Sequence, residues 1–585
     1  DLVGTTHTLF RTPGVATTLE NYESSIHGGY RRINGFSKFG SSTPDTTSTN
    51  IEGIFRYAKG VVACQGSNIY YSADGNTWTQ VNKDTYQTQT GTVSVTAGSP
   101  TVTGSGTSFT TEFSVGDDIK INNEIFNVLS ISSNTSLTTD GNFAATASSQ
   151  NIKKNGATAA QLASGSTIAR VSQLDCKFAL YEGESQYGEL FIVDGNNQPA
   201  YLKIDIASGT HTFFFKEVQR SAPEKSKVAT IFAERLVVAG DSDNPQVLSY
   251  STRLKPEDFT GSSAGTIDVG DKIKTIKPFR NKLIVFCESS IFQVSGLDGT
   301  VAVSGVTKNI GCVSGNTVQE IGGDLIFLAP DGLRTIAGTA RIDDIELSSI
   351  SRKILPVFRD EVMPFLSSIR FASMVVREKS QYRLFYFRSG NANNIQGGVI
   401  GTFKISSTGA GVYEWSTTKG IPAKIAHSGV DENGSEVLYH TDESGFIFNH
   451  DSGNSFDGGN IAATYKTPDM DYGDAGIRKT LYYIKTSIRS EGTNNNLKLQ
   501  TRYDFESGDV TQPGEVSLGA LQTPAKFGTG SSFGTTLFGG TLFPQQKTTL
   551  TGSGFTNNFR VRSTGTASPY TVSGFYVDFI PAGRT

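Results

Sequence analysis

Apolar residues in this chain fall in short continuous runs separated by turn residues, and one run sets the pattern for the rest. Leu325-Ile326-Phe327-Leu328 is apolar at each position, Asp331-Gly332 supplies turn chemistry, and Leu333 to Ile336 returns alongside it. The stretch predicts a β-hairpin. A strand that is apolar throughout, instead of alternating, needs cover on both faces, which small sheets stacked face against face provide. The same pattern starts again at Val61, Leu190, Leu236, Leu283, Leu384 and Val437, and from Leu190 onward the starts lie 46, 47, 42, 59 and 53 residues apart. Val61 and Ile69, Leu283 and Ile291, and Leu325 and Leu333 are each eight apart, a shared strand, turn and strand length. Periods of this size predict an all-β chain built around an irregular six- or seven-bladed β-propeller. An irregular run of hairpins in a large sandwich is the other arrangement the pattern allows.

The pattern divides the chain. Residues 1–50 form an N-terminal segment whose one distinctive cluster is Gly28-Gly29-Tyr30-Arg31-Arg32-Ile33-Asn34-Gly35-Phe36, on residues alone a basic turn. The propeller is expected over 51–86 and 156–453. Ser72-Ala73-Asp74-Gly75-Asn76-Thr77-Trp78 is close to the Asp-box turn of sialidase-type propellers, one residue shorter between Asp and Trp. Residues 87–155 turn to Thr, Ser, Gly and Val with a compact apolar set at Ile119, Ile121, Ile125, Phe126, Val128 and Ile131. They predict a small inserted β-module, since taking it out brings the 129-residue gap from Val61 to Leu190 close to one blade period. Such an insertion costs little when its ends are close together; it is either a partner contact or an adornment. Ser348 to Met363, with Ile350, Ile354, Phe358 and Val362 four apart, predicts one helical stretch capped by Ser348 or Ser349 and bent or split at Pro356. From 454 to 585 the period stops, and spaced strand candidates predict a C-terminal antiparallel β-sandwich. Inside it Phe527, Phe533, Phe538 and Phe543 punctuate a Thr/Ser/Gly loop. They are candidate intersubunit contacts, unless the loop folds back on its own sandwich.

Composition narrows the function. With 64 Gly, 37 Phe and 21 Tyr against 3 Met, the 585 residues favour short strands and tight turns. The net charge of −4 comes from 51 basic and 55 acidic residues, with no run of Lys and Arg longer than two, so nothing indicates a nucleic-acid grip. Cys64, Cys176, Cys287 and Cys312 are far apart and read as small buried hydrophobes, not as a metal site or disulfide framework. No apolar run is long enough for a membrane span or signal peptide. Gly530-Ser531-Ser532-Phe533-Gly534 matches G-x-S-x-G but lacks the strand and helix that make a nucleophile elbow. His427, His440 and His450 are close in sequence only, and with His7, His27 and His211 they read as packed or solvated side chains. No catalytic, cofactor or metal-binding set is expected. A carboxylate pair across a propeller mouth would still allow glycoside hydrolysis.

The Gly-Tyr-Arg-Arg cluster, an early insert in a propeller, the Ile350 helix leading into Gln381-Tyr382-Arg383-Leu384-Phe385-Tyr386, and an ending Val577-Asp578-Phe579-Ile580-Pro581-Ala582-Gly583-Arg584 together resemble the tail nozzle proteins of short-tailed bacteriophages, also called tail tubular protein B or packaged-DNA stabilisation protein. The insert resembles small β-domains of phage structural proteins. The resemblance implies a virion protein without catalytic residues. It implies a homo-hexameric tube below the portal and adaptor ring, its residues 1–50 joining that platform, with tail fibres or spikes on its flank. Double-stranded DNA would pass through without sequence-specific binding. A glycan-binding tail fibre or adhesin, and a propeller glycosidase, are the competing classes.

Overall fold

The computed structural model describes residues 2–582 apart from 5–14, 27, 85, 156, 159–164, 184, 219–222, 337–348, 389–394, 406–410, 493–495 and 519–544. The chain is all-β and of propeller type: seven small antiparallel sheets follow one another along it among the described residues. The first holds Ile51–Tyr57, Gly60–Gln65, Asn68–Ser72 and Thr79–Gln80. The second holds Lys177–Tyr181, Glu189–Val193, Ala200–Ala207 and Thr210–Glu217, with Ala157–Thr158 on its edge; the third runs from Val228–Phe232 to Gly265–Asp268. The fourth runs from Ile273–Phe279 to Ala302–Thr307, and the fifth has the three strands Gln319–Ile321, Asp324–Ala329 and Gly332–Thr335. Arg370–Val376, Gln381–Arg388, Ile395–Ile405 and Gly411–Lys419 make the sixth. Ile425–Val430, Glu436–Thr441 and Ile447–His450 make the seventh, whose fourth strand is Phe36–Lys38 from the other end of the chain.

The chain divides into two compact units, one over Phe55–Gly270 and one over Asp1–Ile54 with Asp271–Thr585, the division falling inside the strand Ile51–Tyr57. Within the first unit, the strand Glu189–Val193 shows why continuous apolar runs occur. Leu190 and Ile192 join Val62, Cys64 and Ile69 of the first sheet in one core. Phe191 and Val193 point the other way and join Leu236 and Val238 of the third. Alternate side chains of one strand thus serve two cores, each side chain contributing about 1.5–3 kcal/mol by leaving water. In the second unit Asp324–Ala329 behaves alike: Leu325 and Phe327 pack with Ile284 and Phe286, while Ile326 and Leu328 pack with Tyr382 and Leu384. The hairpin pairs Leu328 with Leu333 and Ala329 with Gly332. Its turn is therefore Pro330-Asp331, one position earlier than the Asp-Gly dipeptide suggests, and Asp331 is held there by the Arg334 guanidinium, Nε to Oδ1 2.9 Å.

Tyr86–Thr88 to Ile152–Asn155 form an eight-stranded sheet with a core of its own, in which Val93, Val102, Phe109, Leu137 and Phe143 join Ile119, Ile121 and Val128. The predicted helix is instead a chain of short turns: a 3₁₀ turn at Arg352–Ile354, an α turn at Leu355–Val357, a π turn at Phe358–Val362 and a 3₁₀ turn at Met363–Phe365. Pro356 and Pro364 each fall in the first turn of a new segment, where their missing N–H is tolerated. Ile354, Phe358 and Val362 are buried as the spacing requires; Ser348 lies outside the described residues.

Beyond the seventh sheet, Ile461–Lys466, Asn557–Gly565 and Lys498–Tyr503 lie in one sheet and Arg478–Ser490, Tyr570–Ala582 and Gln545–Thr549 in another. Tyr465, Ile484, Ile488, Leu499, Phe559, Val561 and Val572 fill a common core. The N-terminal residues are woven through this region. Thr18–Glu20 bridges Gly411–Lys419 and Ile461–Lys466, fusing the sixth sheet with the first C-terminal sheet into nine strands. Tyr22–Ser24 and Tyr30–Arg32 extend the other C-terminal sheet, where Tyr30 pairs with Val572.

Candidate functional site

The Gly28 to Phe36 cluster is the anchor of a buried ionic node in the second unit. Gly28 and Gly29 have φ of +83° and +79°, the left-handed region that glycine enters without cost. A Cβ on Gly29 would stand 2.2 Å from the Val572 carbonyl oxygen, so the hairpin lies too close to Tyr570–Ala582 for any side chain there. The tight turn returns Arg31 opposite Glu23. Arg31 donates from Nη1 to Glu23 at 2.9 Å and from Nη2 to Glu491 at 2.6 Å, while Arg32 donates to the Ala567 carbonyl at 2.6 Å. Below them Tyr22 and Tyr570 share a 2.6 Å hydroxyl contact, and burial raises both phenols above their ordinary value. The two arginines read in sequence as a basic turn are thus spent on internal carboxylate and carbonyl groups.

Glu23 also accepts from Lys379 Nζ at 2.8 Å, Gln381 Nε2 at 3.2 Å and Arg383 Nη2 at 3.0 Å. Arg383, 1% exposed, donates both Nη groups to Asp451 Oδ1 at 3.2 Å, and Lys379 completes the second carboxylate at 2.7 Å. Burial works against the Asp451 charge, but Arg383 and Lys379 outweigh it and hold that carboxyl below its usual range. A network with both carboxylates satisfied is stable where either alone would not be.

Two histidines close the node. His450 Nε2 lies 3.0 Å from Arg383 Nη1, and His450 Nδ1 lies 3.3 Å from His440 Nδ1. A guanidinium only donates, so His450 accepts at Nε2 and carries its proton on Nδ1, which it offers to His440. The His440 proton then sits on Nε2, a buried atom without a partner among the described residues. Burial pushes His440 down to about 3 and, with His440 and Arg383 nearby, pushes His450 well below the ordinary imidazole value. Both rings are neutral at physiological pH. The expectation that His427, His440 and His450 are close in sequence only therefore needs correction: His440 and His450 touch. The cross-strand pairing shows how, since His440 is opposite Phe448 and His450 follows two residues later on the same face.

The remaining candidates are dispersed. Phe527, Phe533, Phe538 and Phe543, and the Gly530 to Gly534 motif, lie outside the described residues, as do His7 and His27. All four cysteines are buried and unpaired, and burial lifts the Cys287 and Cys312 thiols to about 12. Among the described residues no group of three or more His, Cys, Asp and Glu is placed to hold a metal ion, and no helix is long and apolar enough to cross a membrane. One acid is poised near neutrality: burial, then the charge of Glu257, raises Glu189 to about 7.

No family model matches the chain, and no curated protein matches it. Similar solved structures include Hsv2 of Kluyveromyces lactis, at 9% identity over 63% of this chain and 99% of that one, TM-score 0.25. An exo-beta-1,3-galactanase of Phanerochaete chrysosporium with galactose aligns at 9% identity over 93% and 100%, TM-score 0.24. The Pan2 WD40 domain of Neurospora crassa aligns at 8% over 72% and 98%, TM-score 0.24. At these scores the likenesses carry no argument about activity or ligand.

Proposed function

We propose that this chain is a structural subunit of a virion: the distal tube, or nozzle, of a short phage tail, assembled as a homo-hexamer on the adaptor ring below the portal, with tail fibres or spikes on its flank and without catalysis of its own. The observation that carries the reading is the weave of the N-terminal strands. The Gly-Tyr-Arg-Arg cluster that contributes to the nozzle resemblance is paired into a C-terminal sheet through Tyr30 and Val572, and the same segment supplies the last strand of the seventh sheet. The Glu23, Arg383 and Asp451 node locks it there. A subunit that must hold under pressure gains from a segment tied into several sheets at once.

Charge fits the passage of DNA. A sixfold ring multiplies the net −4 to about −24, with basic and acidic residues nearly balanced in each subunit. Such a tube conducts duplex without gripping it, because affinity rises with each phosphate set against a Lys or Arg. The test is to mix the protein at micromolar concentration with adaptor-bound portal and image by negative stain. A sixfold ring is expected; a chain that stays monomeric overturns the proposal. Submicromolar, steeply salt-dependent duplex binding by the assembled ring would overturn the conducting role.

A further inference from the structure

In the unit Phe55–Gly270, a cleft of about 880 Å³ opens between the inserted module and the second sheet. Its two cations are engaged with carboxylates, while Glu124, which accepts from the Ala144 N–H at 2.8 Å, and the exposed Glu224 add negative charge to its lining. Arg170, whose side chain is fully buried, donates to Asp194 at 3.1 Å and to Glu217 at 3.2 Å, and Lys216 pairs with Asp118 of the insert at 3.4 Å. Asn197 is buried too and saturated: it donates to Asp194 and the Val171 carbonyl and accepts from the Val171 N–H. Three carboxylates against two cations leave the lining mildly acidic, which disfavours a phosphate or a sulfate, and no cluster of metal ligands is present among the described residues, so an uncharged ligand suits the cleft best.

The walls present amides. On the insert side, Asn123 stands in a left-handed turn, φ +65°, between two paired strands, and Asn142 lies nearby on the cleft; both are exposed, and neither side chain has a partner among the described residues. On the sheet side, Asp194 accepts from the backbone N–H groups of Asn196 and Asn197 at 2.9 and 2.8 Å, fixing a turn that holds Asn196 exposed at the cleft. Asn196 Nδ2 already donates to the Ser172 carbonyl at 2.9 Å, which fixes its amide and leaves its oxygen and second N–H; each of the three amides thus still offers a donor and an acceptor side by side, the pattern that matches adjacent hydroxyls on a sugar ring. Between them Phe126, half-buried and braced edge-on by Phe143 at 4.7 Å, supplies an aromatic surface for the apolar face of such a ring.

We propose that this cleft is a binding site for a neutral oligosaccharide, held by Asn123, Asn142 and Asn196 and stacked on Phe126. The proposal does not rest on the tail assignment, and failure of ring assembly would leave it standing. The test uses the full chain and a panel of neutral hexasaccharides of glucose (α- and β-linked), mannose, galactose and N-acetylglucosamine, with heparin as an anionic comparator, titrated by calorimetry. At least one neutral sugar is expected to bind, and Asn123→Gly/Asn142→Ala to weaken it by about tenfold, the loss of one or two hydrogen bonds. Glycine keeps the left-handed backbone at 123 and Asn142 is exposed, so the melting temperature should hold, which separates lost contacts from lost folding. Asn196→Ala, on the opposite wall, should weaken the same sugar by a similar factor. The proposal is overturned if no neutral sugar binds at about 10 mM, where even a millimolar site would register. It is equally overturned if heparin alone binds, or if the asparagine variants bind unchanged.

Discussion

Arg383 does what no other side chain in its strand is placed to do: it faces Glu23, Asp451 and His450 at once from a fully buried position. Replacing it by Met fills much of the volume but leaves two buried carboxylates sharing Lys379 and Arg31. The expected cost is about 3–5 kcal/mol, the range for stranding a buried charge. Denaturant unfolding of Arg383→Met measures it, and a change below about 1 kcal/mol would mean that the node relaxes into water. The neighbouring glycines allow a sharper comparison. Gly28 and Gly29 share a left-handed backbone, so either alanine pays about 1–2 kcal/mol of strain, but nothing lies within 4 Å of a Cβ at Gly28, whereas one at Gly29 collides with Val572. Gly29→Ala should therefore lower the melting temperature well beyond Gly28→Ala. Equal shifts would show that the strand Tyr570–Ala582 moves aside freely.

At the scale of elements, the insert is where local composition and tertiary contact part company. Its own core suggests a module that folds by itself, yet Asp118, 7% exposed, reaches out to Lys216 of the second sheet, 5% exposed. Asp118→Asn keeps the insert docked over an unpaired buried lysine and should cost about 3 kcal/mol or more. Replacing residues 88–152 by a short Gly/Ser linker should cost the remaining sheets less, because Lys216 then meets water and loop closure grows only slowly with length. Thermal unfolding followed by calorimetry orders the two variants; a collapse of the whole melt on deletion would show the insert to be part of the blade it interrupts. The contrast also marks what is legible in the sequence. Leu190 to Val193 and Leu325 to Leu328 declare stacked sheets because a continuous apolar run has no other cheap solution. Ser348 to Met363 reads as one helical stretch because spacing reports which residues are buried, not which backbone carries them; Pro356 divides it into turns, and Pro364 opens another at its end. The cleft is invisible for a different reason: Asn123, Asn142 and Asn196 come from three loops whose meeting depends on how the insert docks.

Across the whole molecule, the two units carry opposite proton linkages. In the unit that includes Asp271–Thr585, burial lowers His427 to about 4 and His440 to about 3, so the folded chain refuses protons that the unfolded chain binds below about 6.5. Stability from these groups is present above that value and is lost as pH falls toward the folded one. In Phe55–Gly270 the sign reverses. Burial and Glu257 raise Glu189 to about 7. There the folded state keeps protons that the unfolded chain releases above about 4.5, so stability is greatest at low pH and declines as pH rises toward 7. Over the window from about 4.5 to 6.5 the two units should move in opposite directions. Hydrogen exchange resolved by peptide, taken at several pH values and corrected for intrinsic rates, reads each unit separately. Protection in peptides from 271–585 should rise with pH while protection in 55–270 falls, and Glu189→Gln should flatten the second trend without touching the first. Parallel trends in both units would refute the assignment, as would a Glu189→Gln chain whose Phe55–Gly270 unit still loses protection just as steeply.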